Sequence, residues 1–186
     1  YQNIFVTGGA GAIGSNVLTF LSKGKFDKII VIDNLSSGHF ENIPKNKRIT
    51  FIEGDISDPK VVAEAFKNKI DIVFHLAAHF ANQNSIEHPV DDLMSNGIGT
   101  INLLEAAVRN NVKKFIYFST SCIYKNKNQK LKESDLNLQF ETPYAISKYI
   151  SEKYVNFYSH YYKLPAVILR IFNSFGPGEK PGRYRN

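Results

Sequence analysis

Cysteine is almost absent from this 186-residue chain. Cys122 has no companion for an internal disulfide or a metal cluster, which fits a reducing compartment. Long apolar runs are missing too: no stretch approaches the roughly 18 residues a membrane-spanning helix needs. The opening residues lack the basic, apolar, small-residue order of a signal peptide. The expectation is a cytoplasmic protein with no membrane contact. His39, His75, His79, His88 and His160 show no metal-ligand spacing, so they read as structural or solvated and no metal is expected. The net charge of +6 is dispersed among asparagines in "PKNKR" and "YKNKNQKLK". A nucleic-acid footprint would gather into one stripe or helix, so no nucleic acid is expected as a partner.

What is present is a globular composition, 43% hydrophobic and 22% charged, enough for one domain that buries roughly 70% of its unfolded surface. Apolar, β-branched runs alternate with helical patterns. "NIFVT", "KIIVID", "ITFIEGD", "DIVFHLA", "KKFIYFS" and "AVILRIF" read as strands, nearly continuous in the manner of strands covered on both faces. "GSNVLTFLSKG", "DPKVVAEAFKN", "DDLMSNGIGTINLLEAAVRNN" and "TPYAISKYISEKYVNFYSHYY" read as helices, while "NLSSGHFENIPKNKR" is turn-rich and requires none. The alternation predicts an α/β fold with a doubly wound parallel sheet.

The first strand runs into "VTGGAGAIGSN", which fits G-x-G-x-x-G at Gly9, Gly11 and Gly14 and G-x-x-G-x-x-G at Gly8, Gly11 and Gly14. Between a strand and a helix, such glycines let the backbone turn tightly and approach a pyrophosphate at the helix N-terminus. A purely structural glycine turn is the alternative for the loop alone. Asp33 ends the second strand 19 residues after Gly14, close to the spacing of about 20 expected for a carboxylate that takes ribose hydroxyls. A strand-end aspartate capping a turn is its simpler role. The ordered set of strand, loop, helix, strand and acid predicts a dinucleotide site, and the acid favours NAD over NADP by repelling a 2′-phosphate.

With "VIDNLSSG", "GDISD", "FHLAA", "NGIGTINLLEAA", "FSTSCIY", "YAISK" and "LRIFNSFGPG" following in order, the chain resembles the extended short-chain dehydrogenases/reductases, in their nucleotide-sugar epimerase and dehydratase branch. The resemblance implies an NAD-binding Rossmann domain over 1–175 and, over 176–186, the start of a substrate-binding region that continues in relatives as a smaller lobe. It implies that the cofactor meets Gly8, Gly11, Ala12, Ile13 and Gly14 of the loop, then Asp33 and Asn34. It places Asp55 and Ile56 at the adenine, Ala77 and Ala78 along the cofactor path, Asn96 behind the active-site helix, and Phe172 beside the nicotinamide. Ser85, Ser121 and Asn173 become substrate contacts, with a helix cap as the competing role for Ser85.

The chemistry falls on Tyr144 and Lys148. Tyr149 and Lys153 repeat the same i, i+4 spacing, but Thr142 as N-cap and Pro143 as first helical residue put Tyr144 in the opening turn. That turn lies near the carboxyl edge of the sheet, whereas Tyr149 faces about 140° away. A tyrosine must be acidified from about 10 by roughly 3 units, or about 4 kcal/mol, to act as a base near neutrality. An ammonium about 4 Å away at an effective dielectric of roughly 20 supplies that much. The family motif around Tyr124 selects Thr120 as the orienting hydroxyl, with Ser121 its neighbour.

Family dehydratases follow that threonine with Asp-Glu, where this chain has Ser121 and Cys122. The resemblance therefore implies epimerisation of a nucleotide-diphosphate sugar through a transient 4-keto intermediate, with Tyr144 and Lys148 also touching the cofactor. A sugar 4,6-dehydratase, another short-chain oxidoreductase and a non-catalytic NAD-binding domain are the alternatives. The aromatic end of the last helix, Tyr154, Phe157, Tyr158, Tyr161 and Tyr162, implies a homodimer or further packing onto the absent lobe.

Overall fold

The computed structural model describes residues 2–79, 82–125, 130–137 and 139–177. Residues 178–186 of the expected second unit lie outside them. The described strands are β1 (Asn3–Thr7), β2 (Lys28–Asp33), β3 (Ile49–Glu53), β4 (Ile72–His75), β5 (Lys114–Thr120) and β6 (Ala166–Ile171). All neighbours pair in parallel, in the order β3-β2-β1-β4-β5-β6. The helices are α1 (Ala12–Ser22), α2 (Pro59–Ala65), α3 (Asn82–Glu87), α4 (Pro89–Asp92), α5 (Gly99–Arg109) and α6 (Pro143–Tyr161), with a π turn, Leu93–Ile98, joining α4 to α5. The predicted doubly wound sheet is the one observed. The turn-rich stretch after β2 contains only a short 3-10 turn, Phe40–Asn42.

Alternation along the strands divides the core between two faces. Phe5, Ile30, Ile32, Val73, Phe115 and Tyr117 pack with Val62 of α2, Leu103, Leu104 and Ala107 of α5, and Val155 and Tyr158 of α6. Ile4, Val6, Ile29 and Val31 pack with Leu18 and Leu21 of α1. Continuous apolar runs therefore mark β1 and β2, the most deeply covered strands. At the sheet edges β3 and β6 are only partly covered, and Leu169 keeps 39% of its surface in solvent.

β1 pairs with β2 on one side and β4 on the other. The strand order reverses at this point, so the connections after β1 and β4 part and open a crevice at the carboxyl edge of the sheet. A buried histidine ties its walls together. His75, 1% exposed, has Nδ1 at 2.8 Å from Thr7 Oγ1 and Nε2 at 2.8 Å from Thr100 Oγ1. Thr100 donates its hydroxyl proton to the Asn96 carbonyl at 2.6 Å, so it accepts from Nε2–H. Nδ1 is then the acceptor for Thr7 O–H, whose oxygen receives the Ala77 N–H at 3.2 Å. This directional chain joins β1, β4 and α5 and requires the neutral Nε2–H tautomer.

Burial, reinforced by the Lys148 charge, drives His75 well below its usual pKa. An unfolded His75 protonates near about 6.5 while the folded one does not, so the unfolded state binds more protons below that pH. Stability should fall as pH drops below about 6.5, by up to about 1.4 kcal/mol per pH unit from this residue. Urea denaturation between pH 8 and 5 checks this: His75→Gln should flatten the acid slope, and an unchanged slope would show that His75 is not buried neutral.

Candidate active site

The glycine loop closes on itself and on β4. Gly8 adopts φ +71°, and a Cβ there would stand 2.6 Å from the Ala77 nitrogen. A Cβ on Gly14 would lie 2.0 Å from the Gly8 carbonyl oxygen, so the first turn of α1 rests against the loop backbone as no other residue permits. Gly11, in extended conformation, precedes α1 and has no side chain to cap it. The first N–H groups of α1 are thus presented to the crevice, where they and the helix dipole suit an anion.

Asp33 reaches this loop from the end of β2. Its Oδ2 accepts the Ala10 N–H at 2.8 Å and its Oδ1 the Leu35 N–H at 2.9 Å. The turn-capping role is therefore realised, and each oxygen keeps a second lone pair for a hydroxyl donor. Asn34 donates to Asp55 at 2.7 Å. Burial acts to raise the Asp55 pKa, but hydrogen bonds from Ser57 and Asn34 outweigh it and hold the carboxyl below its usual range. Ile56 is 2% exposed and packs under Gly99 in the core. Asp55 is the more exposed member of that pair. Ala12 and Ile13 open α1, and Ala77 and Ala78 follow β4 at the crevice floor.

Thr142 caps α6 by accepting the Ala145 N–H at 3.3 Å, with Pro143 in the first helical position. A second cap comes from α3: Ser85, fully buried, accepts the Tyr144 N–H at 3.1 Å and donates to the Asn82 carbonyl at 2.7 Å. Its hydroxyl is thus engaged on main chain both as acceptor and as donor, which is the cap role that competes with a substrate contact. Tyr144 is 7% and Lys148 2% exposed. Lys148 Nζ donates to the Phe118 carbonyl at 2.7 Å and lies 4.4 Å from the centre of the Tyr117 ring. Burial pulls its pKa down to about 7, against the upward pull of Asp92 and Glu152. The lysine's charge is thus itself in the balance, which the spacing alone does not reveal. Lys153, by contrast, lies over the Tyr149 ring on an exposed part of the helix.

Thr120, 6% exposed, accepts the Cys122 N–H at 3.2 Å, and Ser121 opens the next 3-10 turn. Phe172 is exposed and stacks on Tyr124 at 5.8 Å, with Asn173 exposed beside it in sequence. Asn96 donates towards Ser147 of α6 at 3.1 Å and Asp92 at 2.9 Å while receiving the His79 N–H at 2.9 Å. Two features escaped the sequence reading. Asp92 is a fully buried acid, signalled only by its position four residues before Asn96. Glu152, one turn after Lys148, makes a two-pronged pair with Arg170 at 3.0 and 2.9 Å. Among the described residues, no group of three or more metal-binding side chains gathers, and no helix is long and apolar enough to cross a membrane.

A phosphate-ready helix start, a strand-end acid and a buried Tyr–Lys turn at one crevice define a dinucleotide-binding domain of the Rossmann type. The model of the NAD dependent epimerase/dehydratase family matches residues 4–186, and the chain belongs to that family. It is 36% identical over 175 residues to a UDP-glucose 4-epimerase of Halalkalibacterium halodurans, covering 93% of this chain and 51% of the relative. It is also 36% identical over 198 residues to a dTDP-D-glucose 4,6-dehydratase of Dictyostelium discoideum, covering 97% of this chain and 45% of the relative.

Among solved structures, an epimerase from Methanothermobacter thermautotrophicus superposes with a TM-score of 0.93 at 44% identity, covering 100% of this chain and 55% of that one. A Thermus thermophilus UDP-glucose 4-epimerase in complex with NAD gives 0.84 at 35% identity, covering 91% of this chain and 54% of that one. The chain spans about half the length of the curated relatives it matches. NAD is the family's cofactor, and the bare loop, uncapped helix start and Asp33 of this chain fit it. Gly14→Ala should displace the loop and weaken NAD binding by at least about tenfold, since a 2.0 Å contact cannot be relieved locally. Calorimetric titration with NAD measures this, and unchanged affinity would contradict the cradle.

Proposed function

We propose that the full-length protein epimerises a nucleotide-diphosphate sugar, with Tyr144 as base, Lys148 setting its acidity and Thr120 orienting the substrate oxygen. The observation that carries this reading is the burial of Tyr144 and Lys148 one helical turn apart, at the carboxyl edge of the sheet. NAD would be held by the glycine loop and Asp33, and it would supply the hydride acceptor and donor that inversion at the sugar carbon requires. Tyr144 accepts the hydroxyl proton as that bond breaks and gives it back on return. The Lys148 ammonium favours the phenolate, and the Phe118 carbonyl holds that ammonium in place. The absence of a carboxylate at Ser121 and Cys122 supports epimerisation over water elimination.

One observation favours a 4,6-dehydratase instead. A cavity of about 210 Å³ beside the start of α6 is lined by Cys122, Tyr124, Thr142 and Glu141, among others, so a carboxylate from another segment shares a cavity with Cys122. Full-length protein offered UDP-, dTDP-, CDP- and GDP-sugars distinguishes the two: an epimer keeps its mass, whereas a 4-keto-6-deoxy product has lost water. Tyr144→Phe should lower turnover by about 10²–10⁴-fold, while Tyr149→Phe should retain it. Equal activity in both variants would refute the assignment.

The same reading extends to assembly and domain limits. Residues 1–175 act as the NAD-binding domain and 176–186 begin the substrate-binding region. A homodimer is supported by the neighbouring apolar faces of α6, with Tyr154, Phe157 and Tyr161 exposed, and of the π turn, with Leu93, Met94 and Ile98 exposed. Tyr158 is excluded from that face, being buried and bonded to Glu105. Light scattering of full-length protein should give twice the monomer mass, and Phe157→Glu should halve it; a monomeric wild type at micromolar concentration would overturn the dimer.

A further inference from the structure

The buried acid Asp92 lies outside the expected catalytic set, yet it belongs to the same cluster as Lys148. It ends α4 with none of its surface in solvent. Asn96 Nδ2 donates to its Oδ1 at 2.9 Å, and among the described residues its Oδ2 has no hydrogen-bond partner. A buried carboxylate in that condition is costly unless a positive charge compensates it. Asp92 takes part in no direct ion pair among the described residues, so the compensation acts through space.

The titratable groups around Asp92 and Lys148 identify the pairing. From α6 come Tyr144 and Glu152, from β5 Tyr117, from β4 and its connection His75 and His79, and from α4 Asp92. Glu152 is already matched by the two-pronged Arg170 pair. His75 is committed as a neutral link between Thr7 and Thr100. Tyr117 is fully buried, and burial holds its phenol protonated. Asp92 is therefore the buried acid without an ion pair among the described residues; His79 and Lys148 both act on it, and of the two only Lys148 is itself buried, His79 being half-buried.

The backbone supports this pairing. A π turn leaves carbonyls that do not follow the α-helical pattern, and the Asn96 carbonyl accepts the Ser151 hydroxyl at 2.7 Å as well as that of Thr100. Asn96 Nδ2 meanwhile faces Asp92, Ser147 at 3.1 Å and the His79 carbonyl at 3.2 Å. Asp92 is thus clamped through Asn96 to Ser147, the residue preceding Lys148.

Resting on the catalytic reading above, we propose that Asp92 is a positioning residue: its buried carboxylate, held by Asn96, supplies the counter-charge that keeps Lys148 an ammonium one turn from Tyr144. Burial favours the neutral form of both groups, raising the Asp92 pKa and lowering that of Lys148, and each charge opposes the loss of the other. Removing the carboxylate leaves Lys148 easier to deprotonate and Tyr144 harder to ionise.

The test uses full-length protein with lysine side chains ¹³C-labelled at Cε, titrated by NMR, with the Lys148 signal assigned by its loss in Lys148→Arg. Asp92→Asn should move the Lys148 titration down by about one unit or more. It should also shift the acid limb of kcat/KM upward and lower kcat/KM near pH 7 by about tenfold. Asp92→Ser is the second neutral variant, should the asparagine destabilise the fold. An unchanged Lys148 titration in a folded neutral variant, even with a lower Tm, would overturn the proposal and leave Asp92 a packing residue. The titration needs no substrate, so a wild-type protein without turnover would contradict the catalytic reading while the NMR result still decides the role of Asp92.

Discussion

Lys148 carries its amine into a region almost closed to water, where the Phe118 carbonyl accepts from it at 2.7 Å and the Tyr117 ring lies beneath it. A cation there is expensive, and much of the surrounding structure offsets that expense. The strand end supplies a carbonyl, the aromatic ring a negative face, and the two acids Asp92 and Glu152 a compensating field. Arg170 then prevents Glu152 from becoming an uncompensated charge in its turn. The balance leaves the lysine responsive to its surroundings, which is what the proposed tuning of Tyr144 requires.

The carboxyl edge of the sheet converts this local chemistry into a site. The connections after β1 and β4 part there, the His75 chain fixes the strand ends relative to α5 and the π turn, and Ser85 and Thr142 together hold the first turn of α6. The glycine loop lies across the same crevice because Gly8 and Gly14 permit backbone contacts that any side chain would block. Cofactor cradle and Tyr–Lys turn are thus built from separate segments but share one rigid frame.

Much of this was legible in the sequence. The six apolar runs located the six strands, since parallel strands covered on both faces carry no polar interruptions, and the Thr142–Pro143 start separated Tyr144 from Tyr149. The roles of single side chains were harder to read. Ser85 had two chemically equivalent roles, and only its burial against the Tyr144 N–H selects the cap. Ile56 sits beside a half-buried aspartate in sequence yet points into the core. Asp92 and Arg170 act on Lys148 through contacts far apart along the chain, and the π turn that turns Asn96 inward leaves no periodic mark. Spacing revealed the pair of residues; it did not reveal that the lysine's charge depends on its neighbours.

The central claim is that Lys148 makes Tyr144 acidic. NMR titration of full-length, NAD-saturated protein labelled at tyrosine Cζ tests it most directly. One phenol should ionise well below about 10, vanish from the spectrum in Tyr144→Phe, and return towards the ordinary value in Lys148→Met. If every tyrosine ionises at or above the ordinary value, or the Tyr144 titration is the same without the lysine, the account is wrong.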